Sequence, residues 1–179
     1  EVKKFDLNEN TISKIKFINH SEISISEDDI IISSLPITLT AKLLGYTSNL
    51  TFRGIRSVFV SYDKQEILPK DIHWLYYGSQ EIDFNRITEP KKLSKYVAPK
   101  NKTYLTAEIT FSKGDEIDLM QSDELINKIV NQIDKVGLVS KDSFISGSTN
   151  KESFVYPLLY TGYQEELAKV RSSISKFQQ

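Results

Sequence analysis

The chain has no cysteine, only two histidines and a single tryptophan among its 179 residues. Without cysteine there are no disulfides and no thiolate metal sites; cysteine usage then gives no redox compartment, a reducing cytoplasm is compatible, and a cytoplasmic location is expected. His20 and His73 lie far apart and lack metal-ligand spacing. None of the seven glycines falls in a GxGxxG or phosphate-loop pattern, so the sequence carries no phosphate cradle. It has no serine nucleophile elbow. No apolar run approaches the ~20 residues that span a bilayer, and no signal peptide is legible. The net charge is -1 with Lys and Arg scattered, which excludes a nucleic-acid footprint and a polybasic membrane patch.

Hydrophobic residues make up 39% of the chain and charged residues 26%, enough apolar material for a core. The length suits one domain, or one domain with a partial second. The first residue is Glu1, and a strand pattern is already under way at Val2. The last residues stop in a helical pattern. Both ends are expected to be cut through a longer protein.

Residues 2–7 and 12–18 alternate around the turn Asn8-Glu9-Asn10, which reads as a hairpin. Ile23-Ser24-Ile25 adds a short third strand. Three successive isoleucines in 28–36 (DDIIISSLP) predict a strand buried on both faces. Pro36 ends it, and 37–44 fits a short helix stopped by Gly45. Residues 53–62, 73–77 and 104–111 read as neighbouring strands of a mainly antiparallel sheet with one wet face. Residues 90–102 read as an irregular loop. Residues 122–136 form an amphipathic helix with Ser122 as its cap and Gly137 as its stop. Residues 140–152 read as polar loop with a possible strand at Phe144-Ile145. A last helix covers 163–177, with Leu167, Val170, Ile174 and Phe177 inward. The fold class is α+β: a mixed, largely antiparallel sheet with two or three packed helices.

The richest run is 73–90, HWLYYGSQEIDFNRITEP. Strand alternation puts Trp74 and Tyr76 on one face and Leu75 and Tyr77 on the other, so one aromatic pair can face a ligand while the other packs the core. Arg86 suits an anion or the edge of a flat ring. It can equally be a structural arginine paired with Glu81, Asp83 or Glu89. Plain sheet packing is the competing reading of the aromatics. In VYPLLY, Pro157 holds Tyr156 extended, either to present its hydroxyl or as a helix lead-in. Asp28, Asp29 and 115–118 read as solvated turn acids.

Three ordered segments resemble the flavin-containing amine oxidoreductase superfamily, in its protoporphyrinogen-oxidase-like and UDP-galactopyranose-mutase-like branch. DDIIISSLP resembles the family's D-x-V-I-S-T/S-x-P strand. HWLYY and FNRITEP resemble its W-x-Y and F-x-R-I strands. VYPLLYTGYQEELAKV resembles its Y-P-x-Y segment near the C-terminal flavin motif. The resemblance implies that residues 1–45 are part of an FAD-binding domain and 46–179 a substrate-binding domain. It implies a dinucleotide fingerprint upstream and a Gly-rich flavin motif downstream. Carried over, Arg86 and Tyr156 are the candidate catalytic residues, Ser34 and Pro36 lie near FAD, and Trp74 and Tyr76 line the substrate pocket.

The function implied is part of an FAD-dependent oxidoreductase acting on a small molecule. The chain by itself is expected to be inactive and not to bind FAD tightly. Its expected partners are the remainder of the FAD-binding domain and, as a dimer, a second copy docked through cut edges. Part of a reduced-flavin sugar-nucleotide mutase is the alternative, as is a cofactor-free α+β binding domain.

Overall fold

A computed structural model describes residues 1–177, which divide into two compact units. One unit takes residues up to Thr51 together with those from Pro157 onward; the other is Phe52–Tyr156.

In the first unit, β1 (Val2–Asn8), β2 (Thr11–Phe17) and β3 (Glu22–Ser24) form a three-stranded antiparallel meander in that order. Thr11 donates its hydroxyl to the Asn8 carbonyl across the tight turn. Lys16 and Lys4 flank Asp6 on the same face. The hydrogen bond from Lys16 is the main cause holding the Asp6 carboxyl below its ordinary range. Helix α1 (Ile37–Leu43) starts after Pro36, whose fixed φ suits a helix start, and stops before Gly45 at φ 86°. It packs through Ala41 against Leu50 and Val170; Leu167, Tyr163 and Ile174 join them from the C-terminal helix, Tyr163–Ile174. Leu167, Val170 and Ile174 face inward as expected, but the helix ends at Ile174, so Phe177 lies beyond it and outside the cluster.

The isoleucine run is different from its expectation. Residues 28–35 form no strand, and Ile30 and Ile32 are 81% and 92% exposed. A strand buried on both faces needs neighbours on both edges. The three strands of this unit pair only among themselves, so the run has nothing to pair with among the described residues.

The second unit is a five-stranded sheet with one helical face. Its strands are β4 (Phe52–Tyr62), β5 (Trp74–Tyr76), β6 (Arg86–Thr88), β7 (Thr103–Phe111) and β8 (Phe144–Pro157), in the order β5-β6-β7-β4-β8. The central pair, β4 and β7, is antiparallel over nine residue pairs from Gly54–Phe111 to Tyr62–Thr103. Burial alternates strictly along both strands. Val58, Val60, Tyr62, Leu105, Ala107 and Ile109 point to the covered face and meet Leu125, Ile129 and Ile133 of the main helix. That helix, Ser122–Lys135, repeats its apolar residues at three and four, which fits one helix stripe to one sheet face. Gly137 at φ 75° stops it, as expected. Its cap is not Ser122. Gln121 holds the N-cap position, while the Ser122 hydroxyl bonds Thr149 of β8.

Three further corrections concern the sheet. The strand at 73–77 pairs with neither β4 nor β7; Arg86–Thr88 inserts between it and β7 as β6. The strand expected at Phe144-Ile145 is present but does not stop there: Phe144–Pro157 runs as a fourteen-residue edge strand, so most of 140–152 is not loop. An edge strand with mostly exposed side chains needs no hydrophobic alternation, so its polar sequence hid it. Inside 90–102, Pro90–Leu93 forms a short helix before the loop.

That short helix is the clamp of this end of the sheet. Lys91 Nζ donates to four backbone carbonyls, those of Gln65, Pro99, Lys100 and Lys102, at 2.6–3.1 Å. An ammonium has three protons, so it holds both flanking loops at once. Lys91→Met is expected to cost about 1–3 kcal/mol, a charged hydrogen-bonding group's ordinary worth. Thermal denaturation checks this, and the loss should show as raised amide exchange at 99–102. Arg56, which is buried, does the same at the other end by donating to the carbonyls of Ile117 and Met120 at 3.1 and 2.5 Å.

Candidate ligand groove on the open sheet face

The register of the sheet decides which side chains share its uncovered face. Glu108 of β7 lies opposite Arg86 of β6, which lies opposite Tyr76 of β5. One step along, Thr106 lies opposite Thr88, which lies opposite Trp74. Neighbours across a sheet share a face, so these six residues stand side by side. With Leu93 they line an open groove of about 370 Å³. Trp74 and Tyr76 are 49% and 70% exposed there, while Leu75 and Tyr77 pack the core behind them. The division of the aromatic pairs is the one alternation predicted.

Arg86 does not pair with any of the three acids its sequence neighbourhood offers. Glu81 pairs with Lys135, and Asp83 with Gln132 and Lys128. Glu89 is fully buried and accepts from the backbone N–H groups of Ile67 and Leu68 and from the Thr103 hydroxyl. The partner of Arg86 is Glu108, twenty-two residues away in sequence and directly across the strand pair. Nη2 lies 2.7 and 2.6 Å from the two carboxylate oxygens, and Nη1 donates to the Tyr76 hydroxyl at 3.3 Å. The guanidinium carbon sits 5.8 Å from the Tyr76 ring centre. Glu108, then Tyr76, push the Arg86 pKa further up, so the group stays charged.

The remaining candidates are elsewhere. Tyr156 lies near the end of β8, on the opposite edge of the sheet from β5, and is 51% exposed. It does not line the groove. Ser34 is exposed and Pro36 precedes α1; both belong to the other unit. The acids at 115–118 are structural: Asp115 caps the turn at Glu116–Leu119, and Asp118 binds Lys151 and the Gly114 N–H. No group of three His, Asp or Glu that could hold a metal occurs among the described residues. No described helix is long and apolar enough to cross a membrane.

Glu108, Thr88, Thr106 and Leu93 were not picked out from sequence. The signal existed for three of them. Alternation in YLTAEITF puts Thr106 and Glu108 on the polar face, and alternation in RIT puts Thr88 beside Arg86. What was missing was the strand order that brings them together.

No protein-family model and no curated protein sequence matches the chain. Solved structures do resemble it. A reduced UDP-galactopyranose mutase superposes with a TM-score of 0.74 at 20% identity over 92% of this chain. A putative protoporphyrinogen oxidase from Exiguobacterium gives 0.69 at 13% identity over 98%. A protein from Pyrococcus furiosus gives 0.53 at 14% identity. The chain spans 37%, 39% and 47% of those chains. The chain thus shares its α+β fold with part of each of these proteins, and it accounts for less than half of each.

Proposed function

We propose that the chain supplies the ligand-facing wall of an FAD-dependent oxidoreductase of the amine-oxidase or protoporphyrinogen-oxidase type. One observation carries the reading. The open sheet face gathers two exposed aromatic rings, an ion-paired arginine and two threonines into a single groove. Exposed aromatic faces beside fixed donors suit a flat ring, and a flavin or its substrate presents one. The chain's residues fit the ring part of such a cofactor and not its phosphates, because the sequence holds no Gly-rich cradle. The flavin would supply the redox chemistry. This chain's part is to orient and to exclude water: Trp74 and Tyr76 as wall, Arg86 as the ion-paired group that fixes the Tyr76 hydroxyl, and Tyr156 as a hydroxyl from the edge strand. On this reading residues 1–45, with Ser34 and Pro36, lie toward the FAD-binding domain.

The test uses the protein in which this chain is joined to its flavin-binding portion. Arg86→Met is expected to lower kcat/KM about 10- to 100-fold, the scale of one charged hydrogen bond in a site. An unchanged kcat/KM removes Arg86 and the groove from the mechanism. The mutase reading stays as the second, because the mutase gives the higher TM-score of the two named flavin-type folds. Turnover of UDP-galactopyranose selects it; oxygen or quinone consumption selects the oxidoreductase.

A further inference from the structure

The geometry also bears on what kind of ligand the groove takes. We infer that the Glu108–Arg86–Tyr76 chain makes the groove floor electrically neutral and turns the Tyr76 hydroxyl into a donor, so that the ligand is planar and uncharged with a carbonyl-type acceptor. The inference rests on the groove reading above and narrows it.

Charge comes first. Among the lining residues Arg86 and Glu108 are the only cation and anion, and each faces the other at 2.6–2.7 Å. Trp74, Thr88, Leu93 and Thr106 carry no charge. An incoming anion must displace Glu108 from Arg86 or sit beside the Glu108 carboxylate. Two like charges 4 Å apart cost about 4 kcal/mol near a protein surface. A neutral ring meets no such barrier.

Direction comes second. A guanidinium only donates, so in the contact from Arg86 Nη1 the Tyr76 oxygen must accept. The phenolic proton is then directed away from Arg86, with the ring 70% exposed over the groove. Arg86 Nε is buried without a partner, so that edge of the guanidinium faces protein and not the groove. Tyr76 is therefore the donor a ligand meets. Glu108 touches no ligand in this scheme; it is a positioning residue that acts through Arg86.

The test is a matched pair of flat probes, 2-naphthamide and 2-naphthoate, titrated into the full chain. They differ in charge and share shape. The indole N–H resonance of Trp74, the only tryptophan, reports on the groove. The amide is expected to bind at least about tenfold more tightly, a difference of ~1.4 kcal/mol. Tyr76→Phe, at an exposed position, should weaken the amide about fivefold, one neutral hydrogen bond. Glu108→Gln frees Arg86 and should raise naphthoate affinity about tenfold. Should Glu108→Gln fail to fold, the wild-type preference and Tyr76→Phe still decide. Naphthoate binding as tightly as the amide, or amide binding indifferent to Tyr76→Phe, overturns the inference alone. A Trp74 resonance that neither probe moves overturns the groove reading with it.

Discussion

Replacing Glu89 by alanine is expected to cost at least about 3 kcal/mol and to unfold the protein at a markedly lower temperature. The carboxylate is fully buried and accepts from Ile67 N–H at 3.1 Å, Leu68 N–H at 2.7 Å and the Thr103 hydroxyl at 2.7 Å. Truncation leaves two buried donors, the Leu68 N–H and the Thr103 hydroxyl, and the half-buried Ile67 N–H without an acceptor. Each buried orphan costs about 1–3 kcal/mol, so the middle of that range for the two buried donors already reaches the figure given. Glutamine keeps one carbonyl oxygen but turns an NH2 toward donors, so Glu89→Gln should lie between alanine and wild type. Chemical denaturation measures both. A loss under about 1 kcal/mol for alanine would mean that water or a rotated Thr103 replaces the carboxylate. The effect bears on the groove as well. Glu89 follows β6 directly, and the segment after it holds Lys91 and Leu93, so the same residue fixes the end of the strand that carries Arg86.

Phe84→Ala is expected to be comparable, at about 3–5 kcal/mol, the usual cost of emptying a buried aromatic site. Phe84 is fully buried and meets Tyr77 edge-on at 4.9 Å between ring centres. Those two rings tie the ends of β5 and β6 from behind. Trp74, Tyr76 and Arg86 stand on the front of the same two strands. The variant should therefore lose more than stability: below its melting temperature the β5–β6 pair should show raised amide exchange while β4 and β7 stay protected. Uniform exchange across the sheet would mean that β5 and β6 do not open separately.

Much of this architecture was legible in sequence, for physical reasons. The strict alternation in residues 53–62 and 104–111 comes from a sheet with one covered and one open face, and period two reports that directly. The stripe from Leu125 to Ile133 reports the helix that covers it. Trp74 and Tyr76 were separable from Leu75 and Tyr77 by the same alternation. The failures share a cause. The isoleucines at 30–32 carry the composition of a buried strand, but pairing is a property of neighbours, and the described chain supplies none. Strand β8 shows the reverse: strand pairing against β4 organises residues whose composition argues for loop. Arg86 shows it at the level of a site. Glu81, Asp83 and Glu89 are nearer in sequence, yet Glu108 is nearer in space because β6 lies against β7. Local pattern fixed faces; strand order fixed partners.

The central proposal is that the open face of the sheet is the wall beside a bound flavin. The most direct measurement is Trp74 emission in the protein joined to its flavin-binding portion, taken as the difference between wild type and Trp74→Phe. In the chain alone Trp74 is half exposed and should emit freely. With flavin bound, its emission is expected to be almost wholly quenched, and to return when the flavin is stripped. Trp74 emission that is the same with and without bound flavin would contradict the placement of this face.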